Sequence, residues 1–337
     1  MSMQGLPQQI DGWERSLGHS SMARVFIPFV IVIIVALSVA SAHAEIEPRP
    51  GLIWDVAAGA PISRSTLEQR IAVTTFVLLG EKHDNPHHHQ LQAEILTGLL
   101  ESGRRPTLVW EMLPRARQPR LDAYLGRDDA DADGFATAIG WSDLGWGDWS
   151  LFRPVAEAAL AGRVPQRAGG LDRADLKAIG RDGMAALPTN LAARLPDGAL
   201  LSPEQKRVIE DAVFDGHCSY VPRAHLGPMI SVQIAKDLAL AYALSLSTEP
   251  NGAVLVAGSH HVRRDAGAPV HLARMRPNAS ILAIRFVETA VGQFDLDERR
   301  KTISHDILWF TQPGPDKDYC AVLAKRFGLT DQPVQKR

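Results

Sequence analysis

Short apolar runs and amphipathic stretches alternate along this chain. Thr74–Leu79 (TTFVLL) is a β-branched and apolar run ending at Gly80, the pattern of a buried strand. Pro86 then opens a helix, with Asp84 or Asn85 as its cap and proline at a tolerated first position. Leu91, Ile95 and Leu99 form an i, i+4, i+8 stripe, and Gly103 ends it. Thr107–Trp110 is the next strand, so the opening predicts a βαβ unit with a parallel pair.

Beyond it, Gly126–Trp149 reads as turn-rich, with Asp128, Asp129, Asp131 and Asp133 clustered before Trp141, Trp146 and Trp149. Leu151–Ala161, Asp172–Leu187 and Pro203–Asp215 are predicted helices. The last carries Ser202 as cap and Gln205 closing a capping box. No strand candidate separates them, since Arg163–Gly170 (RVPQRAGG) is a poor strand, so about 171–222 reads as a helical insertion. Arg223–Leu246 is a long helix, Ala253–Ala257 a strand, and Ile281–Val287 the last core strand. Residues 45–72 form a lead-in, loop-like through Ile62, and 291–337 a C-terminal extension to a domain spanning 73–290.

The N-terminus has a different pattern. Arg24, the apolar run Val25–Val39 and Ala42-His43-Ala44 follow the charged, apolar and small-residue order of a secretory signal. Met22 is the expected start, because Met1–Ser21 is polar and carries Asp11 and Glu14. The predicted targeting segment is 1–44, with the mature chain beginning at Glu45. An uncleaved anchor is the competing reading, since the run approaches the ~20 residues of a membrane span. No cysteine follows the run, so a lipoprotein is not expected, and the location is periplasmic or otherwise exported.

Composition narrows the class. The 337 residues carry a net charge of −2, without the basic footprint of a nucleic-acid binder. Cys218 and Cys320 are the only cysteines; whether they pair depends on a separation that sequence does not give.

Three strands run into ionisable residues: Gly80-Glu81-Lys82-His83-Asp84, Trp110-Glu111 and Gly258-Ser259-His260-His261. Ligands bind beyond the carboxyl ends of open parallel sheets, so neighbouring strands would bring Glu81, His83, Glu111 and His261 into one site. Imidazole and carboxylate together suit zinc or iron, although the H-E-x-x-H spacing is absent. His88 and His89 read as structural, and His87 stays open. On the long helix, Gln233 and Asp237 project from the buried side, so Asp237 needs a partner in Arg263, Arg264 or a site histidine. His217-Cys218-Ser219-Tyr220 offers His217 or Tyr220 as an axial iron ligand, or is a solvated loop. Ser259 lacks a G-x-S-x-G elbow, so a serine triad is not expected.

Together these residues resemble the ChaN-like haem-binding uptake proteins of the Tiki superfamily. The resemblance rests on LLGEKHDNPHHHQLQAEIL, VWEMLPRARQPRLDAYL, GHCSYVP, QIAKD and VAGSHHVRRDAGAPVHL, which occur in family order between about Val73 and Phe286. It implies an α/β fold, a mainly parallel sheet flanked by helices with a helical insertion. It also implies an exported protein of haem or iron acquisition and, from the superfamily's metal-dependent peptidases, Glu81, His83 and His261 at divalent-metal positions. For haem the residues themselves offer Tyr220 or His217 as ligand and Arg263 or Arg264 as the charge for the propionates. Met229 and the tryptophans would form part of the wall. His260 stands where the family has glycine, which would strain a left-handed backbone. The alternative is a metal-dependent hydrolase or peptidase using Glu81, His83, Glu111 and His261. Expected partners are haem or another small-molecule ligand and no nucleic acid, with a homodimer and envelope haem-transport machinery left open.

Overall fold

The computed structural model describes residues 47–195, 201–247, 250–290 and 304–329. The expected targeting segment 1–44 and part of the C-terminal extension lie outside them. Among the described residues no helix is long and apolar enough to cross a membrane.

The strands are β1 (Ile53–Asp55), β2 (Ala60–Pro61), β3 (Phe76–Glu81), β4 (Thr107–Pro114), β5 (Gln166–Gly170), β6 (Ala253–Gly258), β7 (Ile281–Glu288) and β8 (Ile307–Thr311). They form one sheet in the order β2-β1-β8-β7-β3-β6-β4-β5. From β8 to β5 every pairing is parallel; β1 joins β8 and β2 antiparallel. The helices are α1 (Arg64–Val73), α2 (Pro86–Glu101), α3 (Gln118–Leu125), α4 (Ala132–Ile139), α5 (Trp149–Ala161), α6 (Arg173–Asp182), α7 (Thr189–Ala192), α8 (Pro203–Gly216), α9 (Gly227–Ser245), α10 (Ala268–Met275) and α11 (Tyr319–Phe327). This is the α/β fold the pattern implies, a mainly parallel sheet flanked by helices.

Strand β3 is buried along its whole length because both faces are covered. Val77 and Leu79 pack with Leu96, Leu99 and Phe152 of α2 and α5. Their alternates Phe76 and Leu78 pack with Leu240, Leu244 and Leu272 of α9 and α10. Helix α2 starts at Pro86 because the Asn85 side chain accepts from the His87 N–H at 2.9 Å.

Four stretches differ from the reading of the sequence. The lead-in contains β1, β2 and α1 rather than a loop alone, with Ser63 capping α1. The turn-rich stretch contains α4, a two-turn helix capped by Asp131, which buries Phe135 and Ile139. Strand β8 follows β7, so Ile281–Val287 is not the last core strand. The poor strand Arg163–Gly170 does form β5, through close approach instead of side-chain propensity. A Cβ on Gly169 would lie 2.8 Å from Leu240 Cδ2, and one on Gly170 would lie 2.5 Å from the Glu111 carbonyl oxygen. The Gln166 carboxamide oxygen accepts from Trp110 Nε1 at 2.8 Å, anchoring the start of the strand. Gly170→Ala should therefore destabilise the protein by about 1–3 kcal/mol, read as a lower thermal midpoint, because the clash is with backbone.

Candidate functional site

The three ionisable strand ends meet. Strand β6 lies between β3 and β4, so Glu81 and Gly258, which end β3 and β6, stand beside Glu111, which follows the last pairing of β4 with β6 at Trp110. These residues line a cavity of about 1110 Å³, just above the ~300–1,000 Å³ usual for ligand sites. Glu81, His83, Glu111, His261, Gln233 and His217 all face it.

A chain of contacts crosses the floor. Gln92 Nε2 donates to Glu81 Oε2 at 2.6 Å, and His89 Nε2 lies 3.0 Å from the same oxygen. Glu81 Oε1 bonds His83 Nδ1 at 2.8 Å, and His83 Nε2 lies 3.7 Å from Glu111 Oε2. Glu111 Oε1 then meets His261 Nε2 at 3.1 Å, and His261 Nδ1 meets Asp237 Oδ1 at 2.6 Å. The Gly258 N–H donates to Glu111 Oε2 at 2.7 Å, and Gln233 Nε2 lies 3.1 Å from His261 Nδ1. Glycine at 258 lets His83 come close, since a Cβ there would sit 2.9 Å from His83 Nε2 and the imidazole would have to shift. Asp237 does not reach the cavity; it is buried behind His261, which is the partner its position demanded.

The electrostatics follow from burial opposed by pairing. Burial alone would raise Glu81, but the charge of His89 and the hydrogen bond and charge of His83 hold it far below the usual carboxylate range. Glu111 is likewise held well down, against its burial, by His261, His83 and Lys236. Burial would lower His261, yet Glu111 and Asp237 on its two nitrogens push it up to about 9. His83 is raised against its burial by Glu81 and Glu111, and burial raises Asp237 against the pull of His261. The floor thus alternates carboxylates and imidazoles.

This arrangement does not support the expected divalent metal at Glu81, His83 and His261. Both Glu81 oxygens and His83 Nδ1 are engaged within the floor, and His261 has both nitrogens on carboxylates. Among the described residues no group of three His, Cys, Asp or Glu side chains is disposed to hold a metal ion. The hydrolase alternative, which drew on the same residues, is not favoured. His83 is the member that opens to the cavity, one-third exposed and tilted against Trp146 with ring centroids 4.8 Å apart.

Several other residues stand elsewhere than the haem-slot reading of the sequence placed them. Tyr220, Arg263 and Arg264 are not among the residues lining the cavity. Arg263 forms a two-pronged pair with Asp265, at 2.9 and 2.7 Å. Arg264 Nη1 donates to the Ile281 carbonyl at 3.2 Å, with Asp306 at 3.7 Å. The cations facing the cavity are Lys82, Lys236 and Arg285. Of the tryptophans only Trp146 lines it; Trp141 and Trp149 pack with Phe135 and Phe152 in the core. Met229 packs in a separate apolar cluster with Leu226 and Ile234. His260 also lines the cavity, and its φ is not positive, so histidine there carries no left-handed strain.

His88 is a core histidine. Its Nδ1 accepts from the Lys82 N–H at 2.9 Å, so Nε2 carries the proton and donates to Thr311 Oγ1 at 2.9 Å. Burial pushes it down to about 4, and it is neutral at pH 7. His217 is fixed in the opposite tautomer. Its Nδ1 faces the Val213 carbonyl at 2.7 Å, which can only accept, so Nε2 is the basic nitrogen.

Tyr319 lines the cavity from the C-terminal extension, where no candidate was read. It donates to Asp84 Oδ2. The one sequence signal was its neighbour: Cys320 is bonded to Cys218, with Cα atoms 5.6 Å apart. Each residue preceding a disulfide cysteine, His217 and Tyr319, faces the same cavity.

The family model for haem-binding uptake proteins of the Tiki superfamily, ChaN, matches residues 67–272. Among solved structures, one titled for cofacial heme binding to ChaN of Campylobacter jejuni is similar with a TM-score of 0.62 at 23% identity. The match covers 76% of this chain and 95% of that one. The type III effector HopBA1 is more distant, with a TM-score of 0.42 at 16% identity over 74% of this chain and 93% of its own. No curated protein sequence matches the chain at a significant level.

Proposed function

The chain belongs to the ChaN family of haem-binding uptake proteins in the Tiki superfamily, and from that premise we propose that it binds haem in the cavity at the carboxyl ends of β3, β4 and β6. The observation that carries this reading is His217. Its Nδ1 is committed to a backbone carbonyl, which orients the ring and leaves Nε2 as a lone-pair donor on the cavity wall. The remaining lining fits a planar amphiphile. Trp146, Val213 and Phe286 offer apolar faces, and Lys236 a cation for a carboxylate. Lys236 Nζ lies 3.6 Å from Glu111 and 6.0 Å from the Trp146 ring centroid, so it is poised at the junction of the polar floor and the aromatic wall. Bound haem would supply iron for ligation; the protein's part is to orient His217, exclude water with its aromatic wall and neutralise the propionates.

Haemin titration followed by the Soret band tests this. The parent protein should give a saturable shift. His217→Ala should weaken binding by ~10-fold or more, about 1.4 kcal/mol, and alter the spectrum. Tyr220→Phe, away from the cavity lining, should leave both unchanged. No saturable shift in the parent would remove the haem reading.

The physiological role we propose is haem or iron acquisition by an exported protein. Two features support export: the signal-like order of Arg24, Val25–Val39 and Ala42–Ala44, and the disulfide, a bond that persists in oxidising compartments.

A further inference from the structure

One wall of the cavity comes from a segment beyond the matched residues. After β8 ends at Thr311, residues 312–320 pass over the strand ends and bring Tyr319 to the cavity. Few apolar contacts hold this segment. In α11 only Ala324 is buried, while Tyr319, Val322 and Phe327 are exposed. The fastening is polar and local. Asn85 Nδ2 donates to the Gln312 carbonyl at 3.0 Å, and the Gly314 N–H to Glu288 Oε1 at 2.7 Å. Lys317 Nζ lies 3.6 Å from Asp84 Oδ2, which also accepts from Tyr319.

The covalent fastening is the disulfide, and it reaches the other ligand-facing residue. Cys218 and Ser219, directly after His217, hold left-handed backbone with φ of 54° and 60°. For residues other than glycine this conformation is strained and persists only where the surroundings impose it. The 102-residue separation of the cysteines means that no local turn keeps the two edges together once the bond is broken. Both cysteines are half-buried, within reach of a small thiol.

We propose that residues 312–320 are a redox-released wall of the cavity, with the Cys218–Cys320 disulfide as its clasp: the bond holds Tyr319 and His217 on one rim, and reducing it frees the C-terminal helix and weakens binding of a planar iron-bearing ligand. The reductant is a dithiol. One of its thiolates attacks a sulfur of the bond to give a mixed disulfide, and the second displaces the protein thiolate. The protein gains two electrons and two protons, and the dithiol leaves as its cyclic disulfide. Tyr319 acts as a covering wall and not as an iron ligand, because its hydroxyl is engaged with Asp84. Burial and that same carboxylate also push the phenol well up, so it stays protonated.

The affinity part of this inference rests on the haem reading; the release of the wall does not, so two readouts separate them. Hydrogen exchange is measured on oxidised protein, on dithiothreitol-treated protein with two titrated thiols, and on the Cys218→Ser/Cys320→Ser variant. Exchange in 312–329 should quicken by ~10-fold or more in both reduced forms, while β3 and β6 stay protected. The haemin dissociation constant of the double variant, measured without reductant, should rise by ~10-fold. Tyr319→Ala, with the disulfide intact, should raise that constant while α11 stays protected. Unchanged exchange in 312–329 overturns the clasp whatever haemin does. Faster exchange with unchanged haemin affinity overturns its coupling to the ligand. Failure of the oxidised parent to bind haemin overturns the haem reading instead, and the exchange result alone then decides whether the wall is released.

Discussion

Replacing His261 by alanine should cost the protein roughly 3–5 kcal/mol, the range for removing one partner of a buried ion pair. The imidazole stands between Glu111, at 3.1 Å, and Asp237, at 2.6 Å, and all three are nearly inaccessible to solvent. Without it two buried carboxylates share a space with no cation between them. One must take up a proton, and the bonds that fixed both are lost. The thermal midpoint should fall by about 10 °C for a domain of this size. Asp237→Asn removes one of the two stranded charges, so His261→Ala made on that background should cost distinctly less than on the parent. That non-additivity distinguishes an electrostatic role from simple loss of packing. The same triad predicts an alkaline limb. His261 is raised from 6.5 to about 9, so its stabilisation is complete below pH 6.5 and is lost as pH rises through about 9. Urea midpoints taken between pH 7 and 10 should decline in the parent and run flatter in His261→Ala. A melting temperature for His261→Ala within ~2 °C of the parent would show that the triad contributes little.

The convergence of Glu81, His83, Glu111 and His261 was legible because each follows an apolar run, and strands that pair in parallel place such endings on one edge. The need of Asp237 for a partner was legible from its place on the buried side of an apolar helix, and the partner is His261. What escaped reading has physical reasons. Strand β5 carries Gln-Arg-Ala-Gly-Gly, a sequence chosen by how closely Leu240 and the Glu111 carbonyl approach it, not by strand propensity. Helix α4 is too short for a period to stand out from its neighbouring aspartates, one of which is its cap. Tyr319 enters the cavity only through contacts more than 200 residues away in sequence, with Asp84, and through a disulfide that no spacing announces. The basic side chains of the cavity were passed over for Arg263 and Arg264, because neighbouring Asp265 and distant Asp306 claim those two guanidinium groups only in three dimensions. A periodic pattern reports which face is buried; it does not report which ion pair forms across two loops.

Acid should destabilise the protein well before its carboxylates titrate. His88 and His271 are buried as neutral rings, and burial pushes both down to about 4, with Arg274 adding to the effect on His271. In the unfolded chain each returns to about 6.5. As pH falls below 6.5 the unfolded state therefore binds two protons that the native state refuses, and stability drops until the pH reaches about 4. Each site contributes up to ~3 kcal/mol over that window, a large share of the ~5–15 kcal/mol that holds an ordinary domain together. His83 and His261, raised in the native state, are protonated in both states at the low end of this window and do not oppose the trend. The two core histidines differ in what replaces them. His88 uses both nitrogens, on the Lys82 N–H and Thr311 Oγ1, so its removal strands two polar groups. His271 is almost fully buried and its Nε2 meets no hydrogen-bond partner among the described residues, so the ring already bears an unmet polar cost. His271→Leu should therefore leave stability at pH 7.5 unchanged or higher and reduce the loss between pH 6.5 and 4 by up to ~3 kcal/mol, read from urea midpoints at half-unit steps. A loss of the same size in His271→Leu and parent would mean that His271 accepts its proton in the folded state after all, and that the acid limb belongs to His88 and the carboxylates.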